Sequence, residues 1–256
     1  MINRARHFGR KILTKLPVGV QQSYYHYRTS KLSLPAYLRH SKEADILSLL
    51  PTAPKTIVDI GANRGKWTQG FLDLLGNDAS FHLFEPTPTL YQHLKMHFSA
   101  YPNVHLYDIA VSDAIGTATF NIAESDDLSS LEQFNSNEFT GNPRTKRIEV
   151  TTDTLDHIYT HLLNGIEIDL LKIDTQGHEE KIITAAEEAL QHTKALLVEW
   201  NIVQLYETAS TFASVHTCLV NKGFRLSSIL NQNRRGYELS WADALYVNRH
   251  YMNEAS

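Results

Sequence analysis

Residues 56–65 read Thr56-Ile57-Val58-Asp59-Ile60-Gly61-Ala62-Asn63-Arg64-Gly65. The first five form a short, β-branched, largely apolar run, the pattern of a strand buried on both faces in a parallel sheet. Gly61 allows a sharp turn at its end. Beyond the turn, Trp67, Phe71, Leu74 and Leu75 recur at helical spacing, and Gly76 stops the helix. A strand, a glycine turn and a helix in this order open a doubly wound α/β fold.

Working outward, the alternation continues. Residues 81–84 form a second strand closed by Glu85-Pro86, and Leu90, Leu94 and Phe98 stripe a second helix. Residues 104–111 read as the third strand. Strict alternation then lapses: residues 117–122 form an extra strand, and 124–147 are polar, of a loop length usually tied to function or mobility. Residues 148–152 return as a strand, followed by a helix carrying Ile158, Leu162 and Leu163. Residues 168–173 are the fourth main strand, with a helix through Ile182, Ile183 and Ala186, and 195–198 are the fifth. Phe212, Val215, Leu219 and Val220 stripe a helix that ends at Gly223; residues 224–230 and 244–247 are the last two strands. Upstream, Ser41 caps a helix over 41–50 with Ile46, Leu49 and Leu50 as its apolar stripe, stopped by Pro51. The expected organisation is a basic N-terminal helical extension over 1–52 and one α/β domain over 53–256, a mainly parallel sheet with helices on both faces.

Composition agrees. The chain has 256 residues, 42% hydrophobic and 20% charged, enough for a sizeable core. A formal net charge of −4 argues against a nucleic-acid binder. The single cysteine, Cys218, excludes an internal disulfide and a cysteine-cluster zinc site, and fits a cytoplasmic protein. No apolar run approaches the roughly 20 residues that span a bilayer, and Lys15 and Pro17 interrupt the nearest approach to a signal sequence. Before Glu43 there is no acidic residue, while Arg4, Arg6, Arg10, Lys11, Lys15, Arg28, Lys31, Arg39 and Lys42 all precede it. That segment is either a solvated arm or a peripheral contact for an anionic membrane surface or acidic glycan.

In such a sheet, ligands sit outside the carboxyl ends of the strands. The first strand ends in Gly61-x-x-x-Gly65 rather than the Gly-x-Gly-x-x-Gly that a pyrophosphate requires. A nucleoside cofactor without phosphates, S-adenosylmethionine, fits this loop. Asp59 either holds the loop or faces the cofactor's cationic end. Glu85, about 20 residues after the glycine turn, stands where a carboxylate accepts from both ribose hydroxyls. Asp108 either accepts from an adenine amino group, with Ala110 and Val111 lining the ring, or is a solvated turn residue. The fourth strand runs into Asp174-Thr175-Gln176-Gly177-His178-Glu179, a polar block that is costly at a buried strand end unless partnered or used. Asp174, His178 and Glu179 are candidates for a general base. The same oxygens suit a divalent cation, although no spacing compels a metal. Glu199 and Asn201, ending the fifth strand, either reach an acceptor hydroxyl across the cleft or form an ordinary polar strand end.

These blocks together resemble the FkbM family of methyltransferases over about residues 57–247. The resemblance rests on Val58-Asp59-Ile60-Gly61-Ala62-Asn63 with Gly65, Phe84-Glu85-Pro86, Ala110-Val111-Ser112-Asp113 with Gly116, and Ser129-Ser130-Leu131. It continues through Val150-Thr151-Thr152 with Leu155-Asp156, Leu171-Lys172-Ile173-Asp174 with Gly177 and Glu179, Val198-Glu199, Gly223-Phe224 and Asp243-Ala244-Leu245-Tyr246-Val247. It implies a Rossmann-like class I methyltransferase fold with seven main strands, the last antiparallel. It also implies S-adenosylmethionine as donor and O-methylation of sugars, glycans or secondary metabolites. Asp59, Gly61, Asn63 and Gly65 then fall at the cofactor loop, Glu85 at the ribose and Asp108 near the adenine. The family's usual Asp-Val-Glu-Gly-x-Glu reads Asp174-Thr175-Gln176-Gly177-His178-Glu179 here. A neutral amide replaces one carboxylate, which favours Asp174 or His178 as the base.

The expected activity is therefore O-methylation of a hydroxyl on a small-molecule or glycan acceptor. Two alternatives compete. A nicotinamide-dependent oxidoreductase shares the strand ends but lacks its pyrophosphate loop, and a non-catalytic glycan- or partner-binding protein could keep the fold.

Overall fold

A computed structural model describes residues 41–50, 52–123, 129–132, 145–202 and 210–252. The basic segment 1–40 lies outside the described residues, as does most of the polar loop 124–147.

The chain enters through helix α1 (Lys42–Leu49). Its Ser41 cap accepts from the Ala44 N–H at 3.1 Å, as the sequence predicts. Ile46 and Leu50 are buried in the same apolar cluster as Ile57 and Phe71. Ser41→Ala removes that capping bond and should cost about 1 kcal/mol, read as a small fall in the denaturant midpoint with an unchanged slope.

The main sheet has seven strands. They are β1 (Thr56–Ile60), β2 (Ser80–Phe84), β3 (Val104–Tyr107), β7 (Ile168–Ile173), β8 (Thr193–Asn201), β9 (Phe224–Arg235) and β10 (Glu238–Asn248), in the order β3-β2-β1-β7-β8-β10-β9. β1, β2, β3, β7 and β8 run parallel, and β10 is antiparallel to both its neighbours. This is the class I methyltransferase arrangement with its reversed last strand. Helices α2 (Lys66–Leu75), α3 (Pro88–His97), α4 (Leu155–His161), α5 (Glu179–Ala185), α6 (Glu188–Gln191) and α7 (Phe212–Asn221) connect the strands, and α8 (Arg249–Met252) follows β10.

Strand alternation sorts the core onto two faces. Val58, Ile60, Leu171, Ile173, Leu196 and Val198 join one cluster; Ile57, Leu170, Ala195 and Leu197 join the other. Each fully buried large side chain contributes roughly 1.5–3 kcal/mol, which is why β1 and β7 are buried along their whole length.

Three expectations need correction. The third strand does not run through 104–111. It stops at Tyr107, and β4 (Ala110–Ser112) leaves for a second sheet of order β4-β6-β5. There β5 (Gly116–Ala123) pairs antiparallel with β6 (Thr145–Thr154), while β4 pairs with β6 in parallel. The last two strands are far longer than their apolar stretches, because β9 and β10 pair through the polar residues around Asn233 and Glu238. The short helix α6 has no clear apolar period and was not anticipated.

Candidate functional site

The ends of β1, β2, β7 and β8, together with β4 and the segment 129–132, enclose a cleft of about 450 Å³. That is within the range of small-molecule and cofactor sites. From one side of the sheet to the other it is lined by Ile109, Ala110 and Val111, then Glu85 and Thr87, then Gly61 and Asn63, then Asp174, Gln176 and His178, then Glu199, Asn201 and Trp241. The predicted residues Gly61, Asn63, Glu85, Ala110, Asp174, His178, Glu199 and Asn201 thus face one space. Asp59, Gly65, Asp108 and Glu179 do not line it.

The turn after β1 is built by glycine for reasons visible in the packing. Gly61 has φ +77°, and a Cβ there would stand 1.9 Å from the Asp174 carbonyl oxygen. Only glycine lets the loop lie against the exit of β7. Gly65, at φ +75°, has the left-handed backbone that favours glycine, and a Cβ there would stand 2.5 Å from the Phe98 ring. Two non-glycine residues of the cleft, Asn63 and Gln176, are also left-handed, at φ 51° and 56°. Such backbone is uncommon outside glycine and gathers at functional sites.

Beneath the loop lies a buried charge cluster. Asp59 is fully buried; it accepts from Thr68 Oγ1 at 2.7 Å and from Lys172 Nζ at 3.0 Å. Lys172 Nζ also donates to the Gly61 carbonyl at 3.1 Å and approaches Asp174 at 3.3 Å. Burial opposes the lysine's charge, but Asp59 and Asp174 outweigh it and the pKa is raised. Of the two roles considered for Asp59, holding the loop matches these contacts.

Glu85 accepts from the Asn63 N–H at 2.8 Å and the Thr87 N–H at 2.9 Å. Burial raises its pKa, against the pull of these donors. Thr87 is buried beside it and lines the same part of the cleft. A buried carboxylate and a threonine beside it suit a polyhydroxylated ligand such as a ribose. Asp108 is exposed in the break between β3 and β4, away from the cleft lining.

The polar block after β7 divides into separate tasks. The Glu179 carboxylate is buried and turned onto its own loop, accepting from the N–H groups of Thr175 (2.9 Å) and Gly177 (3.1 Å). Burial raises its pKa, while those N–H donors lower it. His178 has both ring nitrogens engaged: Nδ1 with Glu132 at 2.7 Å and Nε2 with Ser112 Oγ at 2.9 Å. Glu132 also takes Lys181 Nζ at 2.7 Å. With Ser130 Oγ donating to the Gln176 carbonyl at 2.8 Å, this pins segment 129–132 over the cleft. Asp174 keeps the Lys172 ion pair. Gln176 Nε2 donates to Asp174 Oδ1 at 2.9 Å and to Glu199 Oε1 at 3.0 Å, and Asn201 Nδ2 reaches the same Glu199 oxygen at 3.2 Å. Burial, then the nearby carboxylates of Asp174, Glu179 and Asp243, raise the pKa of Glu199 well above the usual range. Sequence reasoning missed Ser112, Glu132, Lys172 and Trp241 as parts of the site, and it read Gln176 only as a lost carboxylate. Among the described residues, no group of three or more His, Cys, Asp or Glu is placed to hold a metal ion.

The family profile described as Methyltransferase FkbM domain matches residues 59–226. The chain is 30% identical over 177 residues to 2-O-methyltransferase NoeI of Sinorhizobium fredii, spanning 63% of this chain and 70% of that protein. Among solved structures, N-methyltransferase NodS of Bradyrhizobium japonicum aligns with TM-score 0.45 at 12% identity, over 91% of this chain and 99% of that one. Fibrillarin of Aeropyrum pernix aligns with TM-score 0.45 at 11% identity, over 76% and 66%. The profile covers well over half of the sequence and includes the cleft-forming ends of β1, β2, β7 and β8, so the chain belongs to the FkbM methyltransferase domain family.

Proposed function

We propose that the protein is an S-adenosylmethionine-dependent O-methyltransferase acting on a hydroxyl of a saccharide or saccharide-bearing acceptor. The observation that carries the reading is the single cleft joining Glu85 and the Gly61–Asn63 turn to the Asp174–Gln176–Glu199 cluster. Family membership and the 2-O-methyltransferase relative support it.

S-adenosylmethionine, when bound, supplies an electrophilic methyl group on a sulfonium. Glu85 and Asn63 would hold its ribose end, and Ile109, Ala110 and Val111 its adenine. The rest falls to this chain's own groups. Aligning the acceptor oxygen is the main task and is worth several kcal/mol. Glu199 takes the acceptor's hydroxyl proton. It lines the cleft, and its raised pKa makes it a stronger base than an ordinary carboxylate. Asp174 stands beside it, held by Lys172 and Gln176. His178 and Glu179 position segments 129–132 and 174–177. A cytoplasmic setting belongs to the same proposal; no helix among the described residues is long and apolar enough to cross a membrane.

Calorimetric titration with S-adenosylmethionine and S-adenosylhomocysteine, with NADH as control, tests the cofactor assignment. Both sulfur ligands should bind and NADH should not. Glu85→Ala removes hydrogen bonds to a charged group, about 1.5–3 kcal/mol, and should weaken binding roughly tenfold to a hundredfold. Binding of NADH alone would favour the oxidoreductase reading.

A further inference from the structure

The geometry points to an acceptor subsite, formed by Trp241, Asn201, Glu199, Gln176 and Asp174, that takes sugars without an anionic group and turns away uronate, phosphate and sulfate esters. This inference rests on the methyltransferase reading and adds to it the charge class of the acceptor and a residue, Trp241, that grips it.

Register builds the subsite. β8 and β10 are antiparallel, with Trp241 opposite Asn201 and Asp243 opposite Glu199. Residues opposite each other across two strands, and residues two apart along one, share a face of the sheet. Trp241, Asn201, Glu199 and Asp243 therefore stand together, and the first three line the cleft. Gln176 joins this group to Asp174 by donating to both carboxylates.

The chemistry is that of sugar recognition. An indole ring offers a flat apolar surface to the C–H face of a pyranose. Amide and carboxylate groups beside it accept from and donate to neighbouring hydroxyls. Among the described residues, the Asp, Glu, Lys and Arg side chains that line the cleft are all acidic. Glu85, Asp174 and Glu199 line it, and no Lys or Arg does among the described residues. The cation beneath, Lys172, is committed to Asp59, Asp174 and the Gly61 carbonyl. An anionic substituent at this end would meet at least two carboxylates, with no lining cation among the described residues to compensate. A hydroxyl or an ammonium group meets no such penalty.

The test is a binding panel on the full-length protein saturated with S-adenosylhomocysteine, read by saturation-transfer NMR. The probes are methyl glucoside, methyl galactoside, methyl glucosaminide, glucuronic acid and glucose 6-phosphate. At least one of the first three should bind, with the two anionic sugars at least tenfold weaker. Trp241→Ala should weaken sugar binding about tenfold or more while calorimetry shows S-adenosylhomocysteine affinity kept within about twofold, which also shows that the variant is folded. Asn201→Lys should narrow or reverse the discrimination against the anionic sugars. The inference is overturned if the anionic sugars bind as well as the others. It is equally overturned if no sugar binds to the S-adenosylhomocysteine complex, or if Trp241→Ala leaves sugar affinity unchanged. Failure to bind S-adenosylhomocysteine at all would instead strike the methyltransferase reading on which this inference stands.

Discussion

Lys172→Met should destabilise the protein by about 3–5 kcal/mol, enough to lower its Tm on the order of 10 °C. Lys172 is the cation against Asp59, which is fully buried, and its Nζ is also shared with Asp174 and the Gly61 carbonyl. Removing one partner of a buried pair leaves the other charge without compensation. Asp59 would keep only the Thr68 hydroxyl among the side-chain contacts described. The consequence reaches the chemistry, because the same ammonium ties the turn after β1 to the exit of β7. Cofactor affinity should therefore fall together with stability. The companion variant Asp59→Asn, combined with Lys172→Met, removes both charges and should recover part of the loss. Denaturant unfolding of wild type, both single variants and the double variant measures the coupling. If the two changes simply add, the pair does not hold the loop.

Glu199→Gln should lower turnover by roughly 10²–10⁴, the contribution of a positioned general base, while making the fold more stable at neutral pH. The two effects have one cause. The folded-state pKa of Glu199 is raised by burial and by Asp174, Glu179 and Asp243. A carboxyl whose pKa is higher folded than unfolded binds its proton more tightly in the folded state. Below the unfolded pKa both states are protonated and nothing is lost. As pH rises from there through the folded pKa, stability falls, and it stays reduced above it. Glutamine is neutral throughout, so the stability gain should be present above the folded pKa and shrink as pH is lowered towards the unfolded one. The wild-type rate should fall as pH drops through this raised pKa, and Glu199→Gln should abolish that limb. An unchanged rate profile in the variant would move the base to Asp174.

The parts of this structure that could be read from the sequence are those set by local pattern. β1 and β7 are buried on both faces, so their apolar runs announced them. The polar residues that abruptly end β1, β2, β7 and β8 marked the rim of the cleft for the same reason. What escaped depends on distant partners. The break at Asp108 is invisible because the apolar run continues through Ile109, Ala110 and Val111, and only pairing with β6 pulls β4 into another sheet. The Glu132 partner of His178 lies 46 positions away, inside a segment that reads as a polar loop. Trp241 lies outside the apolar stretch 244–247 and enters the cleft only through its register with Asn201. Gln176, read alone, is a missing acid; in place, its amide donates to both carboxylates.

The most direct measurement follows the methyl group itself. Purified protein is incubated with S-adenosylmethionine carrying an isotope-labelled methyl and with an uncharged methyl glycoside, and the products are separated and weighed. Labelled O-methyl glycoside and S-adenosylhomocysteine should form in equal amounts, with both strongly reduced for Glu199→Gln. Tight cofactor binding with no label on any hydroxyl of any acceptor offered would contradict it and identify a fold that binds without catalysing.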